Sequence, residues 1–225
     1  MSDKNKTPFT AAEYDLNIRK VIPMYDMIYD QIFDLIKTVF QNEKIALLDT
    51  GCGSGNLGAR AVKELELSEL MLCDPSESML AVAEQKLAGR NISFVKAGSE
   101  ELDFKEQFDV VTAIQSHNYF DRATREKAVA NCYKALKKGG LFICFENTAP
   151  FSEDGKNLLL ERVKSFQRDA GRSEDDVQAH IARYGTEFFP INVREHLELL
   201  EKTGFTCAEI FWHSYMQSGF YGIKR

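Results

Sequence analysis

Hydrophobic positions near the start of the chain recur at intervals of three and four. Val21, Ile22, Tyr25, Ile28, Tyr29, Ile32, Phe33, Ile36 and Val39 share one helical face, with Pro23 at the helix start or at a kink. The period then changes. "KIALLD" reads as a strand and "GNLGARAVKELE" as a helix. "ELMLCD" is a second strand, and "SESMLAVAEQKLAG" a helix that stops at Gly89. "NISFVKA" and "FDVVTAIQ" are further strands. A helix from about Asp121 to Lys138 carries Val129, Cys132, Tyr133 and Leu136 on one face; Gly139-Gly140 ends it and "LFICFEN" is the next strand. Strands alternating with helices in this way predict an α/β, doubly wound, mostly parallel sheet covered on both faces.

The alternation breaks at residue 150. A polar-rich helical insertion runs to about 190, and "NVREHLELLEKTGF" is then a terminal helix opened by an Asn192/Glu195 capping box. Two apolar runs, "TCAEIFWH" and "MQSGFYGIK", close the chain as an antiparallel pair around a tight turn. No internal repeat or low-complexity tract interrupts this order. The expected organisation is an N-terminal helical cover over 1–43 and one α/β domain over 44–225, with the insertion at 150–190.

Composition narrows the function. With 44% apolar residues in 225, a full core is available. The net charge of −6 argues against a general nucleic-acid or membrane surface, because phosphate binding needs clustered positive charge. No apolar run approaches bilayer length, and the polar start "MSDKNKTPFT" lacks a signal core, so a cytoplasmic location is expected. Cys52, Cys73, Cys132, Cys144 and Cys207 are scattered without C-x-x-C spacing and read as small apolar residues. His117, His180, His196 and His213 show no i, i+4 pairing, so no metal site is expected.

The chemistry concentrates in "LLDTGCGSGNLG", Leu47–Gly58. A strand that ends in a glycine-rich turn and feeds a helix is a nucleotide cradle, because the backbone comes close to the ligand and the helix amides point at it. Two frames fit. Gly53-x-Gly55-x-x-Gly58 matches the dinucleotide fingerprint. Asp49-x-Gly51-x-Gly53-x-Gly55 instead places an acid at the strand end, which suits a cofactor with an amino group and repels a pyrophosphate. The first frame also starts four residues past the strand, too late for the tight turn it describes. Asp74, which ends the second strand 19 residues after Gly55, suits ribose hydroxyls of an adenosine-type nucleoside and fits either cofactor; helix capping is its alternative role.

In order along the chain, "LLDTGCGSGN", "CDPSESML", "AGSEEL", "FDVVTAIQSHNYF", "ALKKGGLFICFEN" and "LLEKTGF" resemble the successive motifs of the class I S-adenosylmethionine-dependent methyltransferases. The resemblance runs from about Lys44 to the end. It implies a Rossmann-like sheet of seven strands with the last antiparallel, and S-adenosyl-L-methionine as cofactor. "YDLNIRKVIPMYDMIYDQI" and "FENTAPFSEDG" further resemble the small methyltransferases related to the carboxy-S-adenosylmethionine synthases. From the family, Gly51, Cys52 and Gly53 are expected along the methionine moiety, with Asp49 near its amino group and Gly55 also among the cofactor-binding residues. Asp74 falls at the ribose, Pro75, Gly98 and Ser99 at the adenine, and Ile114 and Gln115 beneath the sulfonium. Tyr25 is expected at the cofactor, with Tyr14 and Arg19 as weaker candidates that a solvated helix face would also explain. Gly98 stands where many relatives have an aspartate that bonds the adenine amino group.

Methyl transfer needs an aligned acceptor, and a base only where that acceptor carries a proton. His117, at the expected mouth of the site, is the candidate base; Glu146 and Asn147 are similar candidates. Tyr119, Phe145, Phe151, Tyr184, Phe188, Phe189 and Trp212 are the aromatic groups from which an acceptor pocket would be drawn, most of them core. They favour a small, partly apolar acceptor over a macromolecule; a homodimer stays open. Alternatives are a carboxy-S-adenosylmethionine synthase-like or tRNA-modifying enzyme, an NAD-dependent oxidoreductase, disfavoured by Asp49, and a non-catalytic nucleoside-binding module. In the synthases an arginine five residues before the glycine of the "GF" pair faces the extra carboxylate. Here that position is Leu199, which points to unmodified S-adenosylmethionine.

Overall fold

The computed structural model of the protein describes residues 3–225. Strands β1 (Ile45–Thr50), β2 (Leu67–Cys73), β3 (Ser93–Val95), β4 (Phe108–Ile114), β5 (Leu136–Ala149), β7 (Cys207–Ser214) and β8 (Gln217–Ile223) form a sheet in the order β3-β2-β1-β4-β5-β8-β7. β6 (Ile191–Asn192) is a two-residue addition that pairs with β5. The first five strands of that order are parallel, and β8 runs antiparallel to both its neighbours. This is the expected doubly wound sheet with its last strand reversed, and a two-residue turn, Tyr215-Met216, joins the terminal pair.

Alternation along the strands loads both faces. Leu47, Leu72, Val110, Ile143 and Phe145 point into one cluster with α2 (Tyr25–Phe40) and α3 (Asn56–Glu64). Leu48, Cys73, Val111, Ala113 and Phe142 point into the other, with α5 (Arg122–Ala135) and α8 (Val193–Thr203). Ile28, Ile32, Phe33 and Ile36 of α2 are almost fully buried; each such side chain contributes about 1.5–3 kcal/mol on removal from water. The remaining helices are α1 (Ala11–Asn17), α4 (Glu77–Lys86), α6 (Glu153–Asp169) and α7 (Glu174–Ala182). α6 and α7 fill the segment read as an insertion.

Three boundaries differ from the sequence pattern. The N-terminal face is broken: α2 starts at Tyr25, and Val21 and Ile22 lie in the turn before Pro23 while still joining the core. α5 ends at Ala135 rather than Lys138, because Leu136 goes extended to pair with Phe108 and is fully buried there. Gly139, at φ +80, then bends β5 before its main ladder begins at Leu141. β3 keeps only three residues of "NISFVKA". The Asn192/Glu195 capping box forms as read, and Gly204 closes α8 at φ +114.

Candidate functional site

The carboxyl ends of β1, β2, β4 and β5 open onto a cavity of about 490 Å³. This is the crevice where open α/β sheets place their ligands. The glycine turn after β1 forms its floor on one side. Gly51 and Gly53 have φ of +65 and +54, a region L-residues avoid. A Cβ on Gly51 would lie 2.3 Å from Ser116 Cβ, whereas a Cβ on Gly53 would meet no protein atom within 4 Å. The turn is thus packed tight at Gly51 and open towards the cavity at Gly53.

Asp74 holds the turn in place. Its Oδ2 accepts from the Gly53 amide and its Oδ1 from the Ser76 amide, both at 2.8 Å. Burial raises its pKa above the ordinary carboxylate value, and those two amides oppose the rise. Pro75, Gly98, Ser99, Ile114 and Gln115 line the same cavity. A second, smaller cavity of about 30 Å³ adjoins it beneath the turn, lined by Tyr14, Tyr25, Tyr29, Asp49 and Cys52 among others. Asp49 is buried, accepts from Thr112 Oγ1 at 2.7 Å, and faces no cation among the described residues. Burial therefore pushes its pKa up to about 7. The Tyr25 hydroxyl is hydrogen-bonded to that of Tyr29 at 2.9 Å and accepts from Asn56 at 3.2 Å.

The N-terminal segment reaches this turn through Asp15. Asp15 accepts from Ser54 Oγ (2.7 Å), Asn56 Nδ2 (2.8 Å) and Lys86 Nζ (2.7 Å). Burial opposes its ionisation, but these three donors hold its pKa below the usual range. The described residues before α1, from Lys4 to Phe9, then run along the cavity wall.

Three sequence candidates lie elsewhere. Arg19 is exposed and forks onto Asp26, with its guanidinium 5.3 Å from the Tyr25 ring centroid, outside both cavities. Gly55 lines neither cavity; it caps α3 at φ +77, where a Cβ would press on Ala83 at 2.9 Å. His117 is the larger correction. It is buried behind the cavity wall, where Nε2 meets Ser99 Oγ at 2.9 Å and its carbonyl accepts from Arg125 at 3.1 Å. Burial and the neighbouring Arg125 lower its pKa to about 3, so it accepts a proton poorly at neutral pH. The chain turns at Gln115, at φ +55, and this directs residue 117 inward. Glu146 is likewise walled in, and burial raises its pKa to about 8.

Of the aromatic candidates, Tyr119, Tyr184 and Phe188 line the cavity. Phe145 is core, with Trp212 packed against it at 5.3 Å, while Phe151 and Phe189 face solvent. Cavity groups that the sequence reading missed include Lys6, Asn118, His180, Arg183 and Gln217. With Gln115 and Asn147, two of them form an amide ring. Asn118 Nδ2 donates to Gln115 Oε1 (3.0 Å), Gln115 Nε2 to Gln217 Oε1, Gln217 Nε2 to Asn147 Oδ1, and the Asn147 amide to Asn118 Oδ1 (2.9 Å). No local signal marks it, because Gln115 and Gln217 meet only through the strand order β4-β5-β8.

Among the described residues no cluster of His, Cys, Asp and Glu is placed to hold a metal, and no helix is long and apolar enough to cross a membrane. All five cysteines are free. The donor set fits S-adenosylmethionine: two buried carboxylates without cationic partners suit an amino group and ribose hydroxyls, and the open face of Gly53 leaves room for a ligand.

Residues 47–140 match the methyltransferase domain family, which together with the cradle supports an enzyme that uses S-adenosylmethionine. The chain is similar along most of its length to carboxy-S-adenosylmethionine synthases. It is 22% identical to the carboxy-S-adenosyl-L-methionine synthase of Nautilia profundicola, over 91% of this chain and 88% of that protein. A putative S-adenosylmethionine-dependent methyltransferase from Methanococcus maripaludis superposes with a TM-score of 0.67 at 18% identity, covering 100% of this chain and 97% of the other. Magnesium protoporphyrin IX methyltransferase from Synechocystis, solved with bound S-adenosylhomocysteine, gives 0.66 at 15% identity, with 96% of each chain covered.

Proposed function

We propose that this enzyme methylates a small, partly apolar molecule. The observation that carries the reading is the far end of the cavity. There the chain covers its own active site with Phe9, Ile18, Val21 and Ile22 from the N-terminal segment, Leu160 and Val163 from α6, and Phe188 after α7. Gln167 of α6 donates to the Val21 carbonyl at 3.3 Å and ties the two covers together. A partly covered, mostly apolar space of this size suits a small ligand.

On this reading Asp49, Gly51, Cys52 and Gly53 hold the methionine end, with Tyr14 and Tyr25 beneath it. Asp74 takes the ribose, Pro75, Gly98 and Ser99 flank the adenine, and Ile114 and Gln115 lie below the sulfonium. Bound S-adenosylmethionine supplies an electrophilic methyl group. The chain supplies orientation and exclusion of water, which are large parts of such a rate enhancement. His117 takes no part as a base.

The names of relatives support a second reading, a carboxylated cofactor. Against it, Leu199 packs partly buried in the core cluster beneath α8, and no residue of α8 lines the cavity. Mass spectrometry of the ligand that copurifies with the protein decides between them. We expect S-adenosylmethionine or S-adenosylhomocysteine; the carboxylated sulfonium at high occupancy would establish the second reading. Labelled cofactor incubated with a cell extract tests the acceptor: the label should enter the small-molecule fraction, and its appearance in RNA or protein instead would refute the proposal.

A further inference from the structure

The two ends of the cavity differ in charge. Its only lining carboxylates among the described residues, Asp74 and Glu100, sit at the β2 and β3 side, where the nucleoside is read to bind. Of the lining lysines and arginines, Lys4 reaches Glu101 on that same side at 3.5 Å, whereas Lys6 and Arg183 stand apart from those carboxylates in a protein whose net charge is −6. Lys6 Nζ lies 6.0 Å from the Tyr119 ring centroid and 5.9 Å from that of Phe120. The Arg183 guanidinium is ion-paired with Glu187 at 2.7 Å and donates to the Lys6 backbone carbonyl at 2.6 Å, which ties it to the segment that carries Lys6. The amide ring of Gln115, Asn118, Asn147 and Gln217 lines the same cavity. Each amide carbonyl in the ring is already engaged. The Asn147 Nδ2 group donates to no described residue, so it is a donor offered to the cavity.

Resting on the methyltransferase reading above, we propose that the acceptor is a carboxylic acid with an apolar body, methylated on its carboxylate oxygen. Three features converge. Lys6 and Arg183 select an anion and repel a protonated amine. The amide ring presents N–H groups to an oxygen and contains nothing that can take a proton. A carboxylate, ionised at neutral pH, needs no base. One lone pair on the oxygen forms the new C–O bond to the methyl carbon, and the C–S bonding pair returns to sulfur. The carboxylate charge and the sulfonium charge cancel, the products are a methyl ester and a neutral thioether, and no proton moves.

His180 is the competing base. It lines the same end, and its Nδ1 has no partner among the described residues. Arg172 and Arg183 flank it and, with burial, lower its pKa to about 4. A phenol or amine acceptor would require it; a carboxylate does not.

The test is the fate of the label. Transfer from methyl-labelled S-adenosylmethionine in a cell extract should give a small product that releases labelled methanol in mild alkali. Alkali-stable label in the small-molecule fraction overturns the carboxylate assignment and leaves the small-acceptor reading standing; label in macromolecules overturns that reading itself. The pH dependence of kcat should keep its shape in His180→Gln, and loss of an ionisation from that profile counts against the proposal. As a readout free of turnover, the protein loaded with S-adenosylhomocysteine is melted with decanoate and 3-phenylpropionate beside decylamine and 3-phenylpropylamine. The acids should raise Tm, and Arg183→Gln or Lys6→Gln should weaken that effect about tenfold in apparent affinity. Amines that stabilise as well as the acids, acids that do nothing, or a carboxylated sulfonium copurifying with the protein all overturn the proposal; the last would assign the two cations to the donor.

Discussion

Gly53→Ala separates the cradle from the fold. Gly53 sits at φ +54, and an alanine there costs about 1–2 kcal/mol in backbone conformation. The added Cβ meets no protein atom within 4 Å, so no packing clash adds to that cost. For a chain of this size the loss corresponds to a Tm lower by about 2–8 °C. The Gly53 amide can still donate to Asp74, so the turn keeps its tie. Gly51→Ala carries a similar backbone cost at φ +65 and also drives Cβ to within 2.3 Å of Ser116 Cβ, adding about 1–3 kcal/mol of overpacking. The two variants should therefore part company. Gly53→Ala folds but projects a methyl into the space proposed for the methionine moiety, weakening S-adenosylhomocysteine by tenfold or more, about 1.4 kcal/mol. Thermal melts and calorimetric titration of both variants check this. A folded Gly53→Ala protein that binds within twofold of wild type would refute the reasoning, because the open face of the turn would then not face the cofactor.

Asp74→Ala should weaken cofactor binding by about 1.5–3 kcal/mol and also lower Tm, since the Gly53 and Ser76 amides lose their acceptor; an unchanged Kd in a folded variant removes Asp74 from the ribose site. Asp49 has a folded pKa of about 7 against an ordinary 3.8, so its contribution to stability is full below about pH 4 and is lost as pH rises through 7. Asp49→Asn should thus gain on wild type in Tm between about pH 5 and pH 8. At pH 7, wild-type cofactor binding should release roughly half a proton, seen by calorimetry in buffers of different ionisation enthalpy; release that persists in Asp49→Asn assigns it elsewhere. Residues 150–190 and the segment before α2 should exchange amide hydrogens more slowly once cofactor is bound, as a mobile cover would. Equal protection with and without cofactor counts against a cover.

The alternating pattern of the chain determined the sheet. Period-two strands and intervening helices carry their burial in local sequence, and the terminal antiparallel pair was legible from two apolar runs about a tight turn. The glycine turn and Asp74 were legible for the same reason: each lies at a strand end, and adjacent parallel strands bring their ends together in a fixed order. α5 was read three residues too long because Leu136 fits a helical face as well as a strand, and only its pairing with Phe108 decides between them. His117 shows the limit most clearly. Its position after β4 was readable, but the left-handed turn at Gln115 and the packing against Ser99 and Arg125 send its side chain behind the wall. What faces the cavity instead comes from distant segments: Gln217 from β8, Asn147 from β5, Arg183 from the end of α7 and Lys6 from the N-terminal segment. Local sequence fixes which residues lie at an element's end. Which of them meet, and which way they point, depends on strand order and helix packing, and those are set by burial summed over the whole chain.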